Sequence, residues 1–190
     1  MNIAIVGATG NVGRKTIEVL EQKNISIDNL YLLASSKSVG KKILYKGKEL
    51  EVIDLTSFDF SKVKVAFFAA GGEISEKFAL RAADKCLVID NSSKFRMDPD
   101  VPLIVPQVNA GHLEMMKKNI VANPNCSTAQ LVIALKPLHD LFVIKRVVVS
   151  TYQSVSGGGK ASMDELIEQT KSVLEGKKVK SKNFTKQIAF

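Results

Sequence analysis

The beginning of the chain constrains its fold more than any other segment. Residues 2–6 form an apolar run typical of a buried strand, and the glycine-rich residues 7–13 lead directly into an amphipathic segment at 12–23. Glycines at a strand-to-helix turn let the backbone approach a pyrophosphate at the positive end of a helix. We therefore predict a dinucleotide site, for which the alternative is a tight turn without a ligand. The predicted contacts are Gly7, Thr9, Gly10, Asn11 and Val12.

Short apolar runs alternate with longer amphipathic ones through the first half of the chain. This alternation predicts a doubly wound α/β domain with a parallel sheet. The expected elements are strands at 29–34, 65–68 and 86–89, a hairpin at 43–52 and a helix at 74–84. Prolines at positions 99, 102 and 106 predict an irregular connection over residues 91–108.

The end of the second predicted strand bears on the choice of cofactor. An acidic residue there would accept hydrogen bonds from the ribose 2′-hydroxyl of NAD, but the sequence has Ser35-Ser36-Lys37-Ser38 instead. Serine hydroxyls and one cation suit a 2′-phosphate, so this segment favours NADP, with Ser35, Lys37 and Ser38 as the predicted contacts. The alternative for this segment is a polar turn.

A second domain is predicted to begin near Cys126. Residues 1–125 would form the dinucleotide-binding domain, and residues 126–190 would begin the next one, with a helix at 127–141, a β-branched strand at 144–153 and a helix at 162–174. The chain ends inside an apolar run, and the residues after Cys126 are too few for an independent catalytic core. We therefore expect a truncated chain.

Composition narrows the classes of protein that the chain can belong to. Its apolar runs are far too short to span a bilayer, and its first residues lack the basic start of a secretory signal, so a cytoplasmic protein is expected. The net charge of +8 comes from scattered lysines and arginines without a groove-reading motif. We expect no nucleic-acid partner, no membrane contact and no metal site.

The two cysteines have different surroundings. Cys126 lies in Asn123-Pro124-Asn125-Cys126-Ser127-Thr128, where a proline-stiffened segment turns into a helix. The unpaired N–H groups at a helix N-terminus favour a thiolate and can stabilise an oxyanion, and both effects serve acyl transfer. Cys126 is therefore the candidate nucleophile, whereas Cys86 lies in an apolar run and is predicted to be a buried structural cysteine.

Four segments together resemble aspartate-semialdehyde dehydrogenases: residues 7–13, residues 90–98, residues 123–128 and residues 150–159. They follow one another in the order and spacing of that family, which is stronger evidence than a glycine turn alone. The resemblance covers essentially the whole chain. It implies an NAD(P)-binding Rossmann domain followed by the start of an α+β catalytic and dimerisation domain.

The resemblance also implies a reaction and roles for named residues. Cys126 would attack aspartyl phosphate, phosphate would leave, and NADPH would reduce the thioester to aspartate semialdehyde in lysine, threonine and methionine synthesis. Arg96 matches the phosphate-binding arginine of the family, and Gln153 matches the residue that orients the substrate. Asn125 is the third predicted substrate-binding residue.

The loop at residues 156–159 resembles the small-residue loop that packs against the nicotinamide in this family. Ser156, Gly157 and Gly72 complete the predicted cofactor contacts. The family commonly has alanine in place of Gly158 and arginine in place of Lys37, and these departures weaken the arguments for a rigid loop and for 2′-phosphate binding slightly.

The general base is missing from the sequence. Neither histidine is a good candidate, and both are expected to be structural. His112 lies at a predicted helix start, and His139 is expected roughly 20 Å along the helix from Cys126. In the family, the base histidine and a substrate-binding arginine lie further downstream, so we expect the 190-residue chain to bind nucleotide weakly and not to turn over.

Three other readings of the sequence stay open. They are an N-acetyl-glutamyl-phosphate reductase, a non-catalytic nucleotide-sensing protein and a basic nucleic-acid module, and the cysteine motif disfavours the first two. By resemblance, the full-length protein is expected to be a homodimer or homotetramer.

Overall fold

The computed structural model describes residues 1–23 and 25–190. They form two compact units, Met1–Val147 and Val148–Phe190. No helix in this part of the chain is both long and apolar enough to cross a membrane. The domain boundary proposed after residue 125 stays a prediction, because a compact unit reflects packing and not the extent of a domain.

A seven-stranded sheet forms the centre of the first unit. The strands are β1 Ile3–Val6, β2 Leu30–Ala34, β3 Lys42–Tyr45, β4 Lys48–Asp54, β5 Val65–Phe68, β6 Leu87–Asp90 and β7 Ile120–Ala122. They lie in the order β3-β4-β2-β1-β5-β6-β7, and every neighbouring pair is parallel except β3 with β4. The chain runs outward from β1 in both directions, which confirms the predicted doubly wound architecture.

Helices cover both faces of this sheet. The first unit contains α1 Asn11–Gln22, α2 Gly72–Ala83, α3 Pro106–Asn109 and α4 Cys126–Phe142, of which α1 and α2 contribute residues to the core on the two faces. Successive side chains of β1 point to opposite faces, so Ala4 and Val6 pack in one core cluster with Ala79 of α2. Ile5 packs in the other cluster with Ile17 of α1. A strand buried on both faces needs a continuous apolar run, which is the pattern in the sequence.

The predicted hairpin is present as β3 and β4, paired antiparallel. Lys46 and Gly47 connect the strands, and both have positive φ, at 47° and 76°. This is the backbone of a tight two-residue hairpin turn. β4 then continues past the hairpin and pairs parallel with β2.

The connection between β6 and β7 was only partly predicted. Residues 91–105 contain no helix or strand, as expected from the prolines, but α3 begins at Pro106. Proline suits the first turn of a helix because its missing N–H would have no partner there. β7 was not predicted, since it has only three residues and its pattern cannot be distinguished from that of a loop.

The prediction of a strand at residues 144–153 was wrong. Among the described residues, no strand pairs with this segment, and it has no regular secondary structure until Val155. Its side chains are exposed, Val148 at 80% and Tyr152 fully. β-branched residues raise strand propensity, but a strand forms only where a neighbour supplies hydrogen bonds.

The second unit is built on helix α5, Lys160–Leu174. Its buried face carries two polar residues, Glu165 and Gln169, that hold the segment 180–189. The Glu165 carboxylate accepts from the backbone N–H groups of Lys182 and Asn183. Burial opposes ionisation, but these donors outweigh it, so the pKa of Glu165 lies below its ordinary value.

Candidate active site

The loops that follow four neighbouring parallel strands lie at the same edge of the sheet. β1, β5, β6 and β7 end at Val6, Phe68, Asp90 and Ala122, and their registers place these ends side by side. In doubly wound sheets, ligands bind outside the carboxyl ends of the strands, at the point where the strand order reverses. Here that point lies between β1 and β5, so the candidate site is at this edge.

The glycine turn after β1 is fixed by backbone hydrogen bonds. The N–H groups of Gly7 and Ala8 both donate to the Leu33 carbonyl of β2, at 2.8 and 3.2 Å. Gly7 has φ of 86°, a conformation that residues with a side chain rarely adopt. A Cβ there would also lie 2.8 Å from the Ala69 carbonyl oxygen. Glycine at position 7 is therefore required by the fold.

Helix α1 starts directly at this turn. Gly10 is the N-cap residue, and among the described residues no side chain caps the helix. Gly13 is buried, and a Cβ there would overlap the Gly7 carbonyl. Close packing of turn and helix thus leaves Gly10, Asn11 and Val12 exposed on the outer side, where an anion can meet the helix N-terminus.

The serine-rich segment after β2 lies beside the glycine turn. It forms a 3₁₀ turn over Ser36–Ser38, closed by the Ser38 N–H donating to the Ser35 carbonyl at 2.9 Å. The Thr9 hydroxyl lies 3.5 Å from the Ser38 hydroxyl, which joins this segment to the glycine turn. Ser35 and Lys37 are exposed. The structure thus brings these predicted cofactor residues together.

Gly72 begins α2 at the same edge. The preceding residue, Gly71, is the N-cap with φ of 86°, and within the described residues no neighbouring atom lies within 4 Å of a Cβ added at either glycine. The N-terminus of α2 therefore borders open space next to the glycine turn.

Cys126 is the first residue of α4, one residue before the predicted start of this helix, so the thiol lies at the helix N-terminus as expected. Asn125 caps the helix, its side-chain oxygen accepting from the Ser127 N–H at 2.9 Å and from the Ser127 hydroxyl at 2.5 Å. The Cys126 sulfur is exposed and lies 3.9 Å from the same Asn125 oxygen. An exposed thiol at a helix N-terminus is placed for attack on a substrate carbonyl.

Arg96 lies in the loop after β6 and is held by the backbone on both sides. Its Nε donates to the Asn123 carbonyl at 2.9 Å, and its Nη2 donates to the Asn91 carbonyl at 3.2 Å. A guanidinium carries five N–H donors, so donors beyond these two can bind an anion. The contact with Asn123 brings Arg96 to the segment that leads into Cys126.

The other predicted residues lie in the second unit. Gln153 precedes a 3₁₀ turn, Val155–Gly158, and the Ser156 hydroxyl lies 2.8 Å from that of Ser154. A Cβ on Gly157 would come within 2.9 Å of the Gln153 amide nitrogen. A residue without a side chain is therefore needed at position 157 for Gln153 to keep its place.

Three polar residues at this edge have no role predicted from the sequence. Asp90 is fully buried, and Asn91 and Asn123 join through their side chains, the Asn123 amide donating to the Asn91 oxygen at 2.7 Å. Each follows or ends a parallel strand, and that position was the available signal. The histidines offer no base here: His112 contacts the Asn109 amide, and His139 lies near the end of α4.

The two cysteines should differ sharply in reactivity. Burial raises the pKa of the Cys86 thiol to about 11, so roughly one thiol in 10⁴ is ionised at neutral pH. Cys126 is exposed. We expect iodoacetamide to alkylate Cys126 in the folded chain and Cys86 only after unfolding in urea, as measured by peptide mass spectrometry. Equal rates at both cysteines in the folded chain would contradict the described burial.

The fold and the site together define a doubly wound dinucleotide-binding domain with a cysteine presented at a helix start. The chain belongs to the semialdehyde dehydrogenase family. Residues 2–116 match the NAD binding domain of that family, and residues 135–190 match its dimerisation domain.

Similar proteins confirm the predicted resemblance to aspartate-semialdehyde dehydrogenases. The enzyme of that name from Shewanella violacea is 48% identical over 191 residues, which cover 100% of this chain and 56% of that protein. The one from Rickettsia conorii is 52% identical, with the same coverage. The chain therefore spans little more than half the length of these curated relatives.

Solved structures agree with this relationship. The aspartate semialdehyde dehydrogenase II of Vibrio cholerae, complexed with ASA, matches 99% of this chain and 56% of its own, with a TM-score of 0.92 and 48% identity. The aspartate semialdehyde dehydrogenase of Candida albicans with NADP matches 75% of this chain and 48% of its own, with a TM-score of 0.63 and 30% identity.

Proposed function

We propose that the chain is the N-terminal part of an NADP-dependent aspartate-semialdehyde dehydrogenase, which converts aspartyl phosphate to aspartate semialdehyde and phosphate. One observation carries the proposal: the exposed Cys126 thiol begins a helix at the sheet edge that also holds the glycine turn. The names of the relatives support it, and the complex of the Vibrio cholerae protein with ASA supports the substrate.

The residues at the glycine turn fit a dinucleotide. Gly7 and Gly13 stand where a Cβ would overlap backbone, and the N-terminus of α1 faces the space outside the turn. Thr9 and Ser38 would hold the adenosine side, with Ser35 and Lys37 at the 2′-phosphate of NADP. The NADP complex of the Candida albicans protein supports this choice of cofactor. When bound, the cofactor supplies the hydride.

Cys126 would act as the nucleophile. Its thiolate attacks the acyl carbon of aspartyl phosphate, the bond from that carbon to the phosphate oxygen breaks, and a thioester forms on the sulfur. After hydride addition to the same carbon, the carbon–sulfur bond breaks and the aldehyde leaves. The N–H groups at the start of α4 stabilise the negative charge that develops on the carbonyl oxygen in both steps.

The other predicted residues would bind and orient the substrate. Arg96 presents a planar guanidinium that suits two phosphate oxygens. Asn125 contacts both the nucleophile and the helix start, so it sets where the thiol lies. In the second unit, Gln153 would orient the substrate, and Ser156 and Gly157 would form the loop at the nicotinamide. In the first unit, Gly72 would be a further cofactor contact at the start of α2.

The complete reaction needs residues beyond those described. A histidine that accepts the proton of Cys126 and an arginine for the substrate carboxylate are expected further along a longer chain. The match of residues 135–190 to a dimerisation domain supports a homodimer, or a tetramer built from two of them. A cytoplasmic location is part of the same proposal, as for other enzymes of amino-acid synthesis.

The proposed function is tested by measuring whether oxidation of aspartate semialdehyde by NADP⁺ requires inorganic phosphate. The product of the complete reading frame is incubated with aspartate semialdehyde and NADP⁺, and formation of NADPH is followed with and without inorganic phosphate. We expect turnover only with phosphate, and a lower rate with NAD⁺. A preference for N-acetyl-glutamate semialdehyde would instead assign the protein to the related reductase class, and no turnover with either aldehyde would refute the proposal.

A further inference from the structure

Asp90, at the end of β6, is a buried side chain that the chemistry proposed above does not use. Its solvent exposure is 0%. One carboxyl oxygen accepts from the Ser75 hydroxyl at 2.6 Å and from the Ser92 N–H at 3.2 Å, and the other accepts from the Ser92 hydroxyl at 2.7 Å. A buried carboxyl group is costly unless its oxygens are satisfied in this way.

The donors to Asp90 come from different parts of the site. Ser75, also fully buried, lies in the first turn of α2, the helix that begins at Gly72. Ser92 belongs to the loop that leads to Arg96, and its hydroxyl also accepts from the next part of that loop, the Lys94 N–H, at 3.1 Å. One carboxyl group therefore ties the start of α2 to the loop that carries Arg96.

Backbone hydrogen bonds connect Asp90 and its neighbour to the segment that leads to Cys126. The Asp90 carbonyl accepts from the Asn123 N–H at 2.8 Å. The next residue, Asn91, provides one of the two carbonyls that hold the Arg96 guanidinium, and Asn123 provides the other. Asn123 in turn lies three residues before Cys126. A shift of the loop after Asp90 would therefore move the Asn91 carbonyl, and with it the Arg96 guanidinium, relative to the Asn123 carbonyl.

We propose that Asp90 is a positioning residue for anion binding, which fixes the Arg96 guanidinium relative to the segment that ends in Cys126. The proposal rests on the function proposed above, in which Arg96 binds the phosphate group. Asp90 is fully buried, so it would act without touching substrate or cofactor. It acts through Ser92 and Asn91, and loss of its side chain frees the loop to take several positions, which weakens phosphate binding more than it slows the chemical steps.

A graded set of variants tests this role. Asp90→Ala removes every acceptor, whereas Asp90→Asn keeps the shape and one oxygen for Ser75 and the Ser92 N–H, while its amide can donate to the Ser92 hydroxyl. The matched control is Asp59→Ala. The exposed Asp59 accepts from the Ser61 N–H and hydroxyl with the same Asp-x-Ser pattern, at 3.0 and 2.8 Å. It precedes β5 and so lies outside residues 91–96, the loop after β6 that carries Arg96 and is called the anion loop.

Two measurements separate positioning from mere stability. The first is the NMR signal of the Arg96 Nε–H in the 190-residue chain, assigned with Arg96→Lys, together with its exchange with water. We expect Asp90→Ala to shift this signal and to speed exchange about tenfold, Asp90→Asn to restore most of the protection, and Asp59→Ala to change nothing. The second is KM for inorganic phosphate in the product of the complete reading frame, which should rise about tenfold with little change in kcat.

The outcomes distinguish this inference from the proposed function. An Arg96 signal and a phosphate KM that are both unchanged in folded Asp90→Ala would overturn the positioning role. If that variant does not fold, Ser92→Ala against Ser92→Thr replaces it, because only threonine keeps the hydroxyl, and equal signals in the two would also overturn the role. If turnover of the unmutated protein does not depend on phosphate, the proposed function fails while the NMR comparison still decides the position of Arg96.

Discussion

Replacing Cys126 with serine lowers turnover by about 10⁴-fold or more, because the reaction loses the thiolate that carries the acyl group. Serine fills almost the same volume at the first position of α4, and a hydroxyl near the Asn125 oxygen preserves the local contacts. Folding and NADP binding should therefore be unchanged. The measurement is phosphate-dependent NADPH formation in the product of the complete reading frame, with mass spectrometry of the acylated cysteine peptide.

The matched control is the same substitution at the other cysteine. Cys86 is buried, and its sulfur contacts the Ala82 carbonyl at 3.4 Å, a contact that a serine hydroxyl can replace. Cys86→Ser should cost some stability and leave turnover intact. An acyl group found on Cys86, or retained turnover in Cys126→Ser, would show that the nucleophile has been assigned wrongly.

The parallel sheet was predictable because its sequence signals are local. A strand buried on both faces must be a continuous apolar run, as β1 and β5 are, and α1 must be amphipathic to cover one face. The short β7 and the segment 144–153 were mispredicted for one reason. Pairing decides whether an extended segment is a strand, and the pairing of β7 with β6 depends on a distant part of the chain.

The site residues that short sequence motifs mark could also be predicted, whereas contacts between distant segments could not. The glycine turn and Cys126 are marked by a strand-to-helix junction that short motifs reveal. Resemblance singled out Arg96, but the two carbonyls that hold it come from Asn91 and Asn123, which are far apart in sequence and are brought together by the pairing of β6 with β7. The position of Asp90 at a strand end could be read from the sequence, but its contacts could not, since one of its donors, Ser75, belongs to another element.

Replacing Arg96 with lysine should raise KM for inorganic phosphate about 10- to 100-fold, with a smaller effect on kcat. A hydrogen bond to a charged group contributes about 1.5–3 kcal/mol, and about 1.4 kcal/mol corresponds to a factor of ten in affinity. The single ammonium of lysine cannot hold the Asn91 and Asn123 carbonyls and bind two phosphate oxygens together. Lysine keeps the positive charge of Arg96 but not the planar guanidinium, so the experiment measures what the geometry of the guanidinium contributes to phosphate binding.

The control for this substitution is Arg81→Lys. The Arg81 guanidinium also donates to backbone carbonyls, those of Leu55 and Thr56 at 3.0 Å and that of Phe58 at 3.5 Å, but it lies in the last turn of α2 and not in the anion loop. This variant should lower stability without changing KM for phosphate. If both lysine variants raised KM equally, the effect would come from loosening of the fold, whereas an increase confined to Arg96→Lys requires that its guanidinium meet the phosphate itself.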